Sequence, residues 1–447
     1  MTLLSTGHDV LAQAKKAAPT AKAEAFLIDS EARTQEWSEG RPENEVAYHT
    51  HGLGVRLIAQ GRLGFSHTNV FEPESIGACI DHARSAMGVM SADGHLDLYS
   101  MPRAAESADL DLVDESLKAD RWRDRAAFLE SLEAEIKKRD SRLTKVLRAG
   151  YSEGRSRVAL VNSEGLAASY EDTHVSFSLA CVAVENNETQ IGYGFHAACH
   201  AEDLQKRMVI DSTVETALAL LGGKQLPSGR YDLVFGPLVA SEMLGLFANA
   251  LRGDQVLKGK SFLAGHKGRP IGSRGVTIID DGVLPRGLAS SPFDADGAPR
   301  RCTVVVRDGV LEQFLYDAYT ARKAGAQSTG NAGRGYKGVP EPDPSNFYLR
   351  PGTTTPESLL AETASGIYVR NVMGLHTVDT ISGDFSLGIM GERIEHGRRT
   401  HGVRGVTVAG NLLELLQNVE SIGSDLTFFG SIGSPTLRIK NISVGGL

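Results

Sequence analysis

The sequence predicts an α+β fold in two parts: an N-terminal α/β domain of antiparallel strands with covering helices over 1–222, and a β-rich C-terminal domain over 230–447. Three observations carry this expectation. The chain has 447 residues, more than the roughly 250–300 at which a single hydrophobic core stops growing. Its first half alternates between helical and two-residue apolar periods. Beyond GGKQLPSG, residues 222–229, the texture changes to short apolar runs separated by glycine-rich turns.

Taken in order, residues 5–17 read as an opening helix. Residues 25–37 and 45–57 read as strands, and Gln60-Gly61 turns the chain into a third at 63–69. Pro73 stands at a first-turn position, where its missing N–H is not needed, and starts a helix to about Met87. A charged helix follows from about Arg121 to Lys138. Within 174–184, Val175, Phe177, Leu179, Cys181 and Ala183 share one face of a long strand, and His174, Ser176 and Ser178 the other. Asn186-Asn187 supplies a hairpin turn into 190–196, and 203–221 reads as a helix. In the second part the expected strands are 231–235, 276–280, 302–307 and 310–315, with few helices.

Composition bounds the function. Apolar residues at 41% and charged residues at 23% are those of a folded protein. A formal charge of −8 works against direct nucleic-acid binding, because counterion release needs a basic surface. Arg398-Arg399 and Lys137-Lys138-Arg139 read as solvated faces. The opening MTLLSTGHDVLAQAKKAAPT is interrupted by His8, Asp9, Lys15 and Lys16 and offers no secretory apolar core. No run approaches the ~18 apolar residues that cross a bilayer. Cys79, Cys181, Cys199 and Cys302 lack C-x-x-C spacing, which suits a reducing compartment. The expectation is a cytoplasmic protein.

Several motifs invite chemistry and fall short of it. GDQVLKGKS at 253–261 has five residues between its glycines where a phosphate loop needs four, so it reads as a surface loop. Gly330-Asn331-Ala332-Gly333-Arg334-Gly335 does not match the dinucleotide fingerprint and reads as a permissive loop at a substrate or partner surface. His196, Cys199 and His200 would share a helical face as zinc ligands, but they fall where a strand ends and a helix begins. His49 and His51 share one strand face. The pairs Asp280-Asp281 and Asp294/Asp296 read as turn residues, and no G-x-S-x-G elbow occurs.

The second half carries longer phrases: YDLVFGPLVASEMLGLFANALRGD at 231–254, KGKSFLAG at 258–265, SSPFDADGAPRR at 290–301, LYDAYTARKAG at 315–325 and STGNAGRG at 328–335. With ISGDFSLGIMGERIEHG at 381–397, VRGVTVAGNLLELLQNV at 403–419 and GLGVRLIAQGRLGFSHTN at 52–69, these resemble the PmbA/TldE family across essentially the whole chain. The resemblance implies a TldD/TldE-type assembly that degrades unfolded peptides or trims leader peptides. The sister TldD proteins carry H-E-x-x-x-H on a helix, where two histidines bind zinc and the glutamate activates the metal-bound water.

Here the corresponding helix shows the stripe Met243, Leu246, Phe247, Ala250, Leu251 and has no histidine. With the ligands aligned near Gly245-Leu246 and Ala250, only apolar or small residues occupy the site, so the resemblance implies no catalytic residue, no metal ligand and no cofactor in this chain. Zinc is expected in a TldD-type partner, joined as a heterodimer, with a homodimer when the chain is isolated. Unfolded peptide is the expected substrate, with neither nucleic acid nor membrane as a direct partner. Ser328, Thr329, Gly330, Asn331, Gly383 and Asp384 are the expected chamber-facing positions. Two other readings stay open: a modulator of DNA gyrase acting by protein contact, and an autonomous metallohydrolase using His196 and His200.

Overall fold

The computed structural model describes residues 2–100, 109–118 and 122–447. Its first sheet contains β1 (Lys22–Ser38), β2 (Arg41–Ala59), β3 (Arg62–Thr68), β4 (Leu143–Asn162), β5 (Ala167–Glu185) and β6 (Glu188–Ala198), in the order β3-β2-β1-β4-β5-β6. Every pairing in it is antiparallel. Helices α1 (Leu3–Ala17), α2 (Pro73–Val89), α3 (Trp122–Arg139) and α4 (Lys206–Ala219) cover it. Arg121, the expected start of the charged helix, lies outside the described residues.

The central strand β4 has no counterpart in the sequence reading. Its middle, Glu153–Arg157, mixes glycine with charged and hydroxyl residues, so no apolar period runs through it to mark it as a strand. It is a strand because β1 and β5 flank it and take its backbone hydrogen bonds. Two glycines set the helix-to-sheet distance. A Cβ on Gly64 of β3 would run into the Ala83 carbonyl of α2, and one on Gly192 of β6 into the Thr213 carbonyl of α4.

The second half continues with β7 (Gly229–Phe235), α5 (Pro237–Ala250), α6 (Gly253–Leu257), β8 (Ile278–Asp281), β9 (Cys302–Arg307), β10 (Val310–Leu311), α7 (Ala318–Ala324), β11 (Ala332–Gly333), β12 (Glu341–Pro342) and β13 (Asn346–Leu349). Then come α8 (Pro356–Ala361), β14 (Ser365–Met373), β15 (Asp384–Glu395), β16 (Arg398–Asn411), α9 (Leu412–Gln417), β17 (Val419–Ile422), β18 (Thr427–Phe429), β19 (Ile432–Ser434) and β20 (Leu437–Gly445). One sheet runs β10-β9-β8-β13-β19-β18 and the other β16-β15-β14-β7-β20-β17, with an added β16–β20 pairing that closes five of its strands into a ring. The fold is α+β, with an antiparallel N-terminal sheet and a β-rich C-terminal half.

Three local expectations change. The run 310–315 is a strand only at Val310–Leu311, and α4 starts at Lys206 after a short 3-10 turn, Ala201–Asp203. The segment read as a surface loop at 253–261 opens with helix α6, whose Gly253 and Asp254 are buried. Gly253 lies against the Tyr316 ring, which leaves no room for a side chain. The four cysteines are free thiols, with Cys302 exposed and the others buried.

Candidate functional site

Helix α5 leaves β7 through Gly236, with Pro237 in its first turn. It lies between the two C-terminal sheets, against β13, β18 and β19 of one and β7 and β14 of the other. Val239, Ala240, Met243, Leu244, Phe247 and Ala248 are buried there. Leu246, expected in the buried stripe, is only half-buried, because its side of the helix turns outward.

The expectation that only apolar or small residues occupy the ligand register needs correction. Glu242 is the one acidic residue in α5, and H-E-x-x-x-H anchored on it puts the two histidine positions at Ser241 and Leu246. That lone glutamate was the signal in the sequence. Ser241 is buried, and its hydroxyl has no hydrogen-bond partner among the described residues. A hydroxyl and an isobutyl group do not make a zinc site, so the metal implied by the resemblance does not fit this helix. Among the described residues no group of three His, Cys, Asp or Glu side chains is placed to hold a metal ion.

Glu242 itself reaches the surface, with its pKa raised by the surrounding protein. Burial raises the Tyr193 phenol on β6, with the Arg148 charge opposing and the Glu242 charge adding to it. Tyr193 lies 6.1 Å from Phe195, which meets Phe429 of β18 edge-on at 5.6 Å. An aromatic and carboxylate rim therefore joins the edge of the first sheet to α5.

The six expected chamber positions divide. Gly383 packs against Phe262, which meets Phe247 of α5 edge-on at 5.6 Å, so the ISGDF and KGKSFLAG phrases converge beside that helix. Asp384 is exposed and accepts from the Asn411 amide at 2.8 Å. Ser328 is half-buried, whereas Thr329, Gly330 and Asn331 are buried. Thr329 Oγ1 accepts from the Tyr316 N–H at 2.7 Å, and the Asn331 amide donates to Asp280 at 2.7 Å. Those side chains brace the loop from inside.

The loop's arginine has a similar task. Arg334 is directed inward, 1% exposed, and donates to Glu24 of β1 at 2.7 Å. Arg56 of β2 donates to the same carboxylate at 2.9 Å and to Asp296 at 3.1 Å. Burial works to lower the Arg56 pKa, and the Glu24 and Asp296 charges outweigh it and hold it raised. Asp294 accepts three backbone N–H bonds, from Asp296, Ala298 and Ala332. Burial, reinforced by Asp296, still pushes its pKa up to about 7. Asp280 belongs to strand β8 and is fully enclosed with Asn331 and Ser345. Read from sequence as turn residues, Asp280, Asp294 and Asp296 are buried anchors, since tertiary contacts supply the donors that let carboxylates leave water.

The histidines do not converge. His196 lies two residues before the end of β6 and accepts at Nδ1 from the Gln205 N–H at 3.4 Å, while burial lowers its pKa. His200 Nε2 meets the Asp111 carbonyl at 2.8 Å, and Cys199 packs on Leu110 and Leu112 with its thiol pushed up to about 12 by burial. His49 pairs with Asp29, which raises its pKa. On the opposite face of the sheet, Asp172 of β5 stands across from Ser156, with His174 over Gly154. Asp172 has no hydrogen-bond or ion-pair partner among the described residues, and burial alone raises it to about 6.

Comparison with known proteins matches three family descriptions: "PmbA/TldA metallopeptidase domain 1" over 23–87, "central domain" over 113–221 and "C-terminal domain" over 228–446. A "Metalloprotease" of Methanothermobacter thermautotrophicus is 30% identical over 431 residues, covering 91% of this chain and 92% of that one. "Metalloprotease PmbA" of Escherichia coli O157:H7 is 27% identical, covering 91% and 88%. Among solved structures, a putative modulator of a DNA gyrase from Thermotoga maritima superposes with a TM-score of 0.90 at 25% identity over 99% of this chain and 100% of that one. TldE from Thermococcus kodakarensis superposes with a TM-score of 0.88 at 20% identity, over 98% and 99%.

Proposed function

The chain belongs to the PmbA/TldD metallopeptidase family, and from that premise we propose that it is a non-catalytic, TldE-like subunit that pairs with a zinc-bearing TldD-type peptidase. The observation that carries the reading is the pair Ser241 and Leu246 flanking Glu242 on α5, in place of two metal-binding histidines. The chain then serves to close a chamber around its partner's zinc and to admit unfolded peptide as an added strand, with backbone hydrogen bonds that tolerate many sequences. The rim at Tyr193, Glu242 and Phe429, with Ser328 and the turn at Gly383-Asp384, is assigned to that chamber, and the buried Thr329, Gly330 and Asn331 support it from behind.

In this reading the chain divides near 222–229, and the pair works in the cytoplasm. Among the described residues no helix is long and apolar enough to cross a membrane. The reading is tested by reconstitution with a TldD-type partner. Hydrolysis of an unstructured peptide should appear in the mixture, with the metal-free chain binding well under one zinc by elemental mass spectrometry. No gain over the partner alone, or about one tightly held zinc per chain, would overturn it. A second reading, contact with DNA gyrase, draws on the similarity to the Thermotoga maritima protein described as a putative modulator of a DNA gyrase. A binding assay with purified gyrase separates the two.

A further inference from the structure

Across the middle of the first sheet, the face opposite the helices carries little side-chain bulk. Strand alternation puts Gly150, Ser152, Gly154 and Ser156 of β4 there, so β4 forms the floor of a shallow trough. Ser30 of β1 is hydrogen-bonded to Ser156 at 2.9 Å and Thr34 to Ser152 at 3.0 Å, which makes the floor polar and uncharged. Along its β5 side, His174 lies over Gly154 and Asp172 stands across from Ser156. Phe195 of the rim shares this face, paired with Ser178. From Ser178 to Asp172 the trough runs about 20 Å, at roughly 3.3 Å per residue.

Asp172 and His174 are half-buried, and neither has a hydrogen-bond or ion-pair partner among the described residues. Burial alone raises the acid to about 6 and lowers the imidazole. The groups nearby supply no counter-charge. Tyr170, next on the same face, and Cys199, just beyond β6, are neutral, and the Asp172 charge pushes both of them up further. Arg300, which faces Tyr170 from the second half, is engaged with Ser291 and the Gly330 carbonyl. Glu171, Arg155 and Arg157 lie on the other face of the sheet.

A half-buried carboxylate without a donor is costly to keep, and a ligand that brings donors removes the cost. The Asp172 carboxylate, the unprotonated nitrogen of His174 and the Ser156 hydroxyl oxygen are three acceptors, and an ammonium group carries three donors. Residues two apart on a strand have Cα atoms about 6.6 Å apart, so a nitrogen between their side chains can sit about 2.8 Å from each. A metal ion would lack ligands, since among the described residues no third His, Cys, Asp or Glu joins the pair.

We propose that Asp172, His174 and Ser156 bind the primary ammonium group of an extended peptide lying along this trough, either a lysine side chain or a free amino terminus. The inference deepens the chamber reading and rests on it for the peptide. Its test uses this chain without a partner, so the two can fail separately.

The full chain is titrated calorimetrically at pH 7 with three ten-residue glycine-serine peptides, all amidated at the C-terminus. The first is N-acetylated with a central lysine, the second has norleucine there and a free amino terminus, and the third has norleucine and the acetyl cap. An amine-bearing peptide should bind about tenfold or more tightly than the third, and whichever does so identifies the source of the ammonium. The preference should fall at pH 5, where Asp172 takes up its proton. Asp172→Asn removes the charge without removing the side chain's bulk, and should abolish the preference while denaturation curves show the variant folded. Affinity that does not depend on the amine in the wild type, or a preference that Asp172→Asn retains, would overturn the proposal.

Discussion

Arg334 and Glu24 are 310 residues apart in the chain and 2.7 Å apart in the fold, and neither reaches solvent. Their ion pair fastens a glycine-rich loop of the second half to the first strand of the sheet, beneath the Phe26 ring, over which the Arg334 guanidinium stacks at 4.5 Å. Removing one partner of a buried pair leaves the other charge stranded. Arg334→Ala is therefore expected to cost about 3–5 kcal/mol in urea unfolding, far more than a surface arginine.

Glu242 separates a supporting subunit from an active one. With the chemistry in the partner, Glu242→Gln should leave peptide hydrolysis by the reconstituted pair within about twofold. A general base removed from its own active site would cost about 10²–10⁴-fold. Initial rates on an unstructured peptide decide between the two.

Asp172 gives a pH signature. Its folded pKa of about 6 lies above an unfolded value of roughly 3.9, so the folded chain holds the proton more tightly. Its contribution is complete below about pH 4 and is lost as pH rises through about 6. Asp172→Asn should stabilise the chain at pH 8 by up to about 2–3 kcal/mol and far less at pH 4, read from denaturation curves at both values.

Gly192→Ala would drive a methyl group into the Thr213 carbonyl, part of the α4 backbone, which has no rotamer by which to yield. A loss of about 1–3 kcal/mol is expected in thermal unfolding. Gly165→Ala would meet nothing within 4 Å, but its φ of +93° makes it a test of backbone strain in place of packing.

The sequence by itself determined the order of elements wherever an apolar period was strong. The first three strands, α2, the face of β5 carrying Val175, Phe177 and Leu179, and the turn at Asn186-Asn187 all follow from side-chain alternation and turn chemistry, which are local properties. It also determined that α5 holds no histidine. Tertiary structure decided the rest. Strand β4 exists because its neighbours take its hydrogen bonds, and Asp280, Asp294 and Asp296 are interior because distant donors reach them. The loop at 330–335, permissive when read alone, is braced from within by Arg334 and Asn331. Such outcomes depend on which remote group arrives beside a residue. A carboxylate in a turn and one in a buried ion network look identical until the fold supplies, or withholds, the opposing charge.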